Sequence, residues 1–428
     1  MNLRDVIIKA LKSEVVPAMG CTEPVAVALA CAKAKEILGA SSIDKVKVFV
    51  SPNIYKNGLG VGVPNTNEVG LVIAAALGVV GCNSEKSLKV LEDIKEGHLN
   101  EAHKLIGENK VQLMIKDTEE KIYIEVEIHS EVNYAKVIIQ GKHNYFIHLE
   151  KDREILFHTD PCNKVAENDL EILYNSKIRD IIHEIEGINY EELKFLLDGI
   201  EMNENIARAG LDKKLGLGVG FSMKESINKG LLTDDLVNNI MMVTAAGADA
   251  RMSGLSMNVM SSNGSGNNGL TAILPIAVYR RKFNVSDEKT SKALAISHIL
   301  NCYIKKYIGR LSALCGCGVA AATGASAAIA WLMGADFEQI DGAIKNMIAN
   351  ISGMICDGAK GSCALKVSTA ASVAMQSALL AMNGSVTFSK NGIIADTAEE
   401  TIRNLGVLSS EGMNSTDRVI LDIMKKMA

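Results

Sequence analysis

Aromatic side chains are scarce in this 428-residue chain: Phe, Trp and Tyr make up 4% of it, with a single tryptophan, Trp331. Its core must therefore come from Ala, Val, Ile, Leu and Met, and 48% of the residues are hydrophobic. Such a core calls for helices packed closely through small residues. Basic clusters are absent as well. The net charge is −5 and no Arg-rich face occurs, so no nucleic-acid partner is expected. The opening residues, Met1-Asn2-Leu3-Arg4-Asp5, lack the charged stretch and apolar run of a secretion signal. Nine cysteines without that signal are expected as reduced thiols in a cytoplasmic protein. Neither an HExxH pattern nor a P-loop occurs. Beyond residue 210 the only histidine is His298, on an apolar helix face, which reads as a core histidine.

Residues 312–335 and 367–389 carry no charge. Both runs exceed the roughly 20 residues that span a bilayer. They are rich in Ala, Gly and Ser and interrupted by Gln376 and Asn383, unlike lipid-facing helices. Buried central helices are the expectation, with no membrane segment.

Periodicity divides the chain. Residues 2–39 read as two helices joined at Pro17–Pro24, the second strongly apolar from Val25 to Ala32. Lys45–Ser51 alternates like a half-buried strand, and a glycine-rich loop, Lys56–Pro64, follows. Val69–Val80 reads as an apolar helix, and residues 111–158 as strands with turns at Gly141, Asn144 and Asp152. The stretch 164–209 is charged and helical, and beyond 210 strand signals vanish. The expected class is α+β: an N-terminal α/β domain joined to a larger all-helical C-terminal domain. The expected divisions are 1–40, N-terminal helices near the active site; 41–195, the α/β domain; and 196–428, a helical iron–sulfur catalytic domain.

Four cysteines lie in two glycine-rich junctions, Cys315-Gly316-Cys317 and Cys356-Asp357-Gly358-Ala359-Lys360-Gly361-Ser362-Cys363. A helix out (Val319–Leu332) and a helix back (Phe337–Asn350) separate the junctions, which returns the chain to the same end. The thiols can thus meet, as soft ligands for iron–sulfur or zinc. Zinc sites favour CxxC pairs, and no histidine lies in either junction, so iron–sulfur fits better. Buried inert thiols are the alternative.

Gly264-Ser265-Gly266-Asn267-Asn268-Gly269 has the letters of GxGxxG, but no strand is read before it and no βαβ unit surrounds it, which excludes a dinucleotide. A glycine-rich turn opening the apolar helix Leu270–Tyr279 presents N–H groups to an anion such as a carboxylate, with Ser265 and Asn267 as further donors. Lys56-Asn57-Gly58-Leu59-Gly60 is a second such turn headed by a cation; an ordinary turn with a solvated lysine is the alternative. Cys21 precedes a helix, where a thiol's pKa can fall and make it a base or nucleophile. Lys360 and Lys366 lie near the second junction without any visible pyridoxal-phosphate pattern.

On Gly20-Cys21-Thr22-Glu23-Pro24, Lys56–Pro64, Met260–Gly269, Cys315-Gly316-Cys317 and Cys356–Lys360, taken in order along the chain, the sequence resembles the cysteine desulfidases. These form a serine dehydratase alpha-chain-like family related to the iron–sulfur L-serine dehydratases. The resemblance implies a [4Fe–4S] cluster held by three cysteines and no pyridoxal phosphate. It implies Cys356 and Cys363 as ligands, the third being Cys315 or Cys317, and Cys21 as proton acceptor. The last two ligands stand closer together here than in the serine dehydratases, which points to the desulfidase branch.

The resulting expectation is β-elimination of L-cysteine to sulfide and aminoacrylate, then pyruvate and ammonia. The substrate carboxylate is expected on Ser265, Gly266 and Asn267, aided by Lys56 and Asn57. The alternatives are an L-serine dehydratase using the same site and a non-catalytic metal or redox-sensing protein. The expected partners are a small amino-acid substrate and, from base rates alone, a second copy in a homodimer.

Overall fold

The computed structural model describes residues 2–40, 42–160, 170–309 and 312–427. Helix α1 (Leu3–Glu14) is capped by Asn2, whose side chain accepts from the Asp5 amide. Strand β1 (Pro17–Met19) follows, then α2 (Thr22–Leu38). Helix α2 is apolar all round, and Pro24 to Ala32 are buried without a break. Strand β2 (Lys45–Val50) buries Val46, Val48 and Val50 in alternation. Helix α3 (Pro52–Gly58) comes next, then α4 (Leu71–Gly81) and α5 (Glu96–Gly107). Strands β3 (Val111–Ile115), β4 (Tyr123–His129), β5 (Tyr134–Gln140), β6 (Phe146–Lys151) and β7 (Glu154–His158) complete a six-stranded sheet of order β3-β2-β4-β5-β6-β7. Only β2 and β3 pair in parallel; the other neighbours are antiparallel.

The second half is helical. Short helices α6 (Glu171–Asn175), α7 (Ile178–Gly187) and α8 (Tyr190–Leu193) lead to α9 (Asp198–Asp212), α10 (Val219–Asn228) and α11 (Leu236–Met252). A three-residue strand, β8 (Asn258–Met260), precedes α12 (Gly266–Phe283) and α13 (Asp287–Ile308). A π-helical turn, Cys317–Ala321, runs into α14 (Ala322–Leu332). Helices α15 (Phe337–Ile351), α16 (Cys363–Met382), α17 (Ala398–Val407) and α18 (Asn414–Met427) close the chain. The α+β class is as expected. Helix α16 is long and apolar enough to cross a bilayer by length and composition, but 61% of its most apolar window is buried inside the protein.

Two large cores form. One gathers α2, α4 and the sheet. The other gathers α1, the segment 173–200 and the C-terminal helices. The two N-terminal helices thus go to different cores: α1 packs on α7 and α13, and α2 on α4, β4 and β5.

Two expectations about local structure need correction. Lys56, Asn57 and Gly58 do not open a loop; they form the last turn of α3. Ser51 caps that helix by accepting from the Ile54 amide, and Pro52 stands in its first turn. The poor helix formers at its end obscured this start signal. A strand also exists beyond residue 210: β8 pairs antiparallel with β1, Pro17 opposite Met260. Three residues are too few for alternation to register, and the partner lies far away in sequence.

Candidate active site

The segments carrying the cysteines meet as the helix-out, helix-back geometry requires. Leu314 and Ile355 form an antiparallel bridge. The Cys315 amide donates to the Met354 carbonyl at 2.9 Å, and the Cys356 amide to the Ala313 carbonyl at 2.7 Å. Cys315 Sγ and Cys317 Sγ are 3.4 Å apart. Cys363, at the first position of α16, points its thiol toward the Gly358 carbonyl at 3.7 Å. The four sulfurs are near enough for charge on one to shift the others. Burial pushes the Cys363 thiol up to about 11 and raises Cys356 as well. The hydrogen bond with Cys317 draws Cys315 down to about 7, while Cys317 itself is driven well up.

Cations flank this group. Lys56, 3% exposed, donates to the Cys356 carbonyl at 3.3 Å and pairs with Asp417 of α18 at 2.6 Å. Lys366 reaches the Ile355 carbonyl at 2.9 Å and the Asp357 carboxylate, which Lys360 also contacts. Lys56 thus stands beside the thiols with its charge already matched. Asn57 is buried in the same turn.

Backbone contacts tie the glycine-rich stretches together. Gly60 bridges Lys360 in parallel, and the Gly62 amide donates to the Met252 carbonyl at 3.1 Å. Gly358 has φ +99°, and a Cβ there would lie 2.1 Å from the Lys56 carbonyl oxygen, so only glycine fits.

Cys21 is the residue before the first turn of α2, makes no side-chain capping bond and is 3% exposed. It shares a small apolar cluster with Val61, Met252 and Cys363, which puts it on the same face as the thiol group. Its pKa is not lowered by the helix start, contrary to expectation. Burial and the neighbouring Glu23 carboxylate raise it well above the usual thiol range. The thiol donates to Glu23 Oε2 at 3.0 Å. Burial opposes ionisation of Glu23, but His143, the Cys21 thiol and Arg251 outweigh it and keep its pKa low. At rest the pair is therefore a thiol bonded to a carboxylate, with the proton on sulfur.

Arg251, at the end of α11, is another buried participant absent from the sequence reading. It donates to the Gly20 carbonyl at 2.8 Å and to Asn267 Oδ1 at 3.2 Å. Ser265 is the N-cap residue of α12 and Gly266 its first residue, so the glycine-rich turn is a helix start, as read. Beneath it, Ser262 Oγ lies 2.9 Å from His298 Nδ1 and accepts from Asn301 Nδ2 at 2.9 Å. Buried Lys305 donates to the Asn263 carbonyl at 3.0 Å, and its Cε would lie 3.7 Å from a Cβ on Gly316. The turn therefore borders the Cys315–Cys317 doublet.

Comparison with known proteins gives the chain's family. The family model for the serine dehydratase alpha chain matches residues 85–422. The chain belongs to the serine dehydratase alpha-chain family. Relatives named UPF0597 proteins are 61% identical in Alkaliphilus oremlandii (100% of this chain, 99% of the relative), 57% in Alkaliphilus metalliredigens (99% and 95%) and 51% in Clostridioides difficile (98% and 99%). Membership in this dehydratase family makes lyase chemistry on a small molecule the ruling context for the site.

Among the described residues, no three His, Cys, Asp or Glu side chains converge on the position of a single metal ion. An iron–sulfur cage is wider than an ion, so its ligands stand farther apart. The donor chemistry fits such a cage: four soft sulfur ligands close enough to influence one another, with Lys56 and Lys366 lowering the Cys356 pKa although each is also paired with an aspartate.

Proposed function

We propose that this protein is a pyridoxal-phosphate-independent lyase that eliminates the β-substituent of a small L-amino acid, with L-cysteine as substrate. The observation that supports it is the gathering of Cys315, Cys317, Cys356 and Cys363 on the face that also carries Cys21. Cys356, Cys363 and one thiol of the doublet would hold a [4Fe–4S] cluster. Bound there, such a cluster supplies a Lewis-acidic iron with an open position for the leaving group.

The chain's own residues do the rest. The first turn of α12, at Ser265, Gly266 and Asn267, orients the amino acid by its carboxylate. In its thiolate form Cys21 takes the substrate's α-proton and becomes a thiol again, hydrogen-bonded to Glu23. The electron pair of that C–H bond becomes the new double bond, and the pair of the broken C–S bond leaves with sulfur. Sulfide and aminoacrylate result, and aminoacrylate hydrolyses to pyruvate and ammonia. Low exposure around Cys21 limits water access to the reacting carbon.

Anaerobic reconstitution with iron and sulfide, followed by assay of sulfide and pyruvate from L-cysteine, tests this. Cys21→Ala is expected to keep wild-type iron and lose elimination; full activity in that variant ends its role as base. A second reading, L-serine as substrate, draws support from the family description itself. Faster pyruvate release from L-serine than from L-cysteine would transfer the proposal to that substrate.

A further inference from the structure

The guanidinium of Arg251 is 5% exposed, and its side-chain hydrogen bonds run to two neutral oxygens, those of Gly20 and Asn267. Its Nε–H is buried and has no hydrogen-bond partner. The Glu23 carboxylate is near enough to feel this charge, but no carboxylate oxygen is bonded to the guanidinium, and a buried donor left without an acceptor favours a further oxygen beside it. The spare donor faces the start of α12. A Cβ on Gly266, the first residue of that helix, would lie 2.3 Å from Nε and 2.9 Å from Cζ. Glycine alone lets the guanidinium rest against the helix start. Helix α12 is 18 residues long, and Ser265 provides no side-chain cap for its first amides. Such a terminus offers free N–H groups and the positive end of the helix dipole.

We propose that Arg251 and the N-terminus of α12 form a carboxylate-binding site, and that the substrate's α-carboxylate occupies it. The identity of that carboxylate rests on the amino-acid lyase reading. Lys56 is ruled out of the part by its pairing with Asp417. Arg251 also holds the Gly20 carbonyl, one residue before Cys21. One side chain thereby anchors both the substrate and the group that takes its proton.

The test is calorimetric, on the reconstituted protein. L-alanine has the carboxylate but no leaving group, so it binds without turnover; ethylamine lacks the carboxylate. Arg251→Gln is expected to weaken L-alanine binding at least about 30-fold, the scale of a lost charge-assisted contact, and to leave ethylamine unchanged. Arg251→Lys, which keeps the charge without the fork, should lose about 5-fold. Gly266→Ala, which displaces the guanidinium but retains it, should weaken L-alanine as well and guards against misfolding of the first variant. L-alanine affinity in Arg251→Gln within about 3-fold of wild type overturns the site, as does a wild-type protein that fails to bind L-alanine. Arg251-dependent L-alanine binding without pyruvate release from L-cysteine or L-serine upholds the site and sinks the lyase reading alone.

Discussion

Buried and half-buried positions alternate along β2, whereas in α14 every residue from Ala322 to Ala330 is buried. The sheet half packs one face on α2 and leaves β7 fully exposed at its edge. Helix α14 is packed among α12, α13, α15 and α16, and its small residues let backbones meet. The candidate site lies where the halves touch. Residues of α2 and α3 bring Cys21, Glu23 and Lys56; the helical half brings the four thiols, Arg251 and the α12 start. The two buried cations differ in the same way. Lys56 crosses the junction to an aspartate and is a structural clamp, while Arg251, near the Glu23 carboxylate, hydrogen-bonds neutral oxygens and keeps its Nε–H without a partner. A buried ion pair with its donors bonded holds a fold together; a buried donor left without an acceptor can still take a ligand oxygen.

If the helical half alone holds the cluster, Cys356→Ala and Cys363→Ala must each lose nearly all iron after anaerobic reconstitution, whereas Cys21→Ala keeps it. Iron counting decides this, and wild-type iron in both ligand variants would remove the assignment. A smaller effect is expected from breaking the junction itself. Gly358→Ala places a methyl against the Lys56 carbonyl and demands a positive φ. It should cost about 3 kcal/mol or more of stability, read as a fall in melting temperature. An unchanged melting temperature would show that the halves do not depend on this contact.

Acid sharpens the contrast further, with an effect spread over several pH units. His298, in the helical core, has its pKa pushed down to about 3 by burial. Its folded pKa is depressed, so the neutral core is fully stable above the unfolded value near 6.5 and loses stability as pH falls toward 3. The loss is about 1 kcal/mol per pH unit in that window. In the sheet, burial raises Glu125, but Lys116, Lys136 and Tyr123 overcome it and hold the carboxyl at about 2. Its contribution is present above the unfolded value near 4.3 and is lost only between there and about 2. Hydrogen exchange should therefore report the helical half loosening at a higher pH than the sheet. Simultaneous loosening of both near pH 4 would refute separate acid responses.

Much of the fold was legible. The β2 alternation, the apolar α2 and α4, and the helix pair α14–α15 that returns Cys356 toward Cys315 all follow from local periodicity. Less of the site was. Glu23 stood inside a quoted motif, yet its role depends on a thiol bond that only the cap geometry of α2 creates. Arg251 carried no motif, and its partner Gly20 is 231 residues away. Asp417, which neutralises Lys56, is 361 residues from it.

Sequence alone determined which residue types could do chemistry here, because thiols among glycines and a glycine-rich helix start are local patterns with local physical causes. Tertiary structure alone decided the charge state and use of each group. Whether a buried lysine is spent, an arginine is spare or a thiol keeps its proton depends on neighbours brought from hundreds of residues away and on the water they exclude.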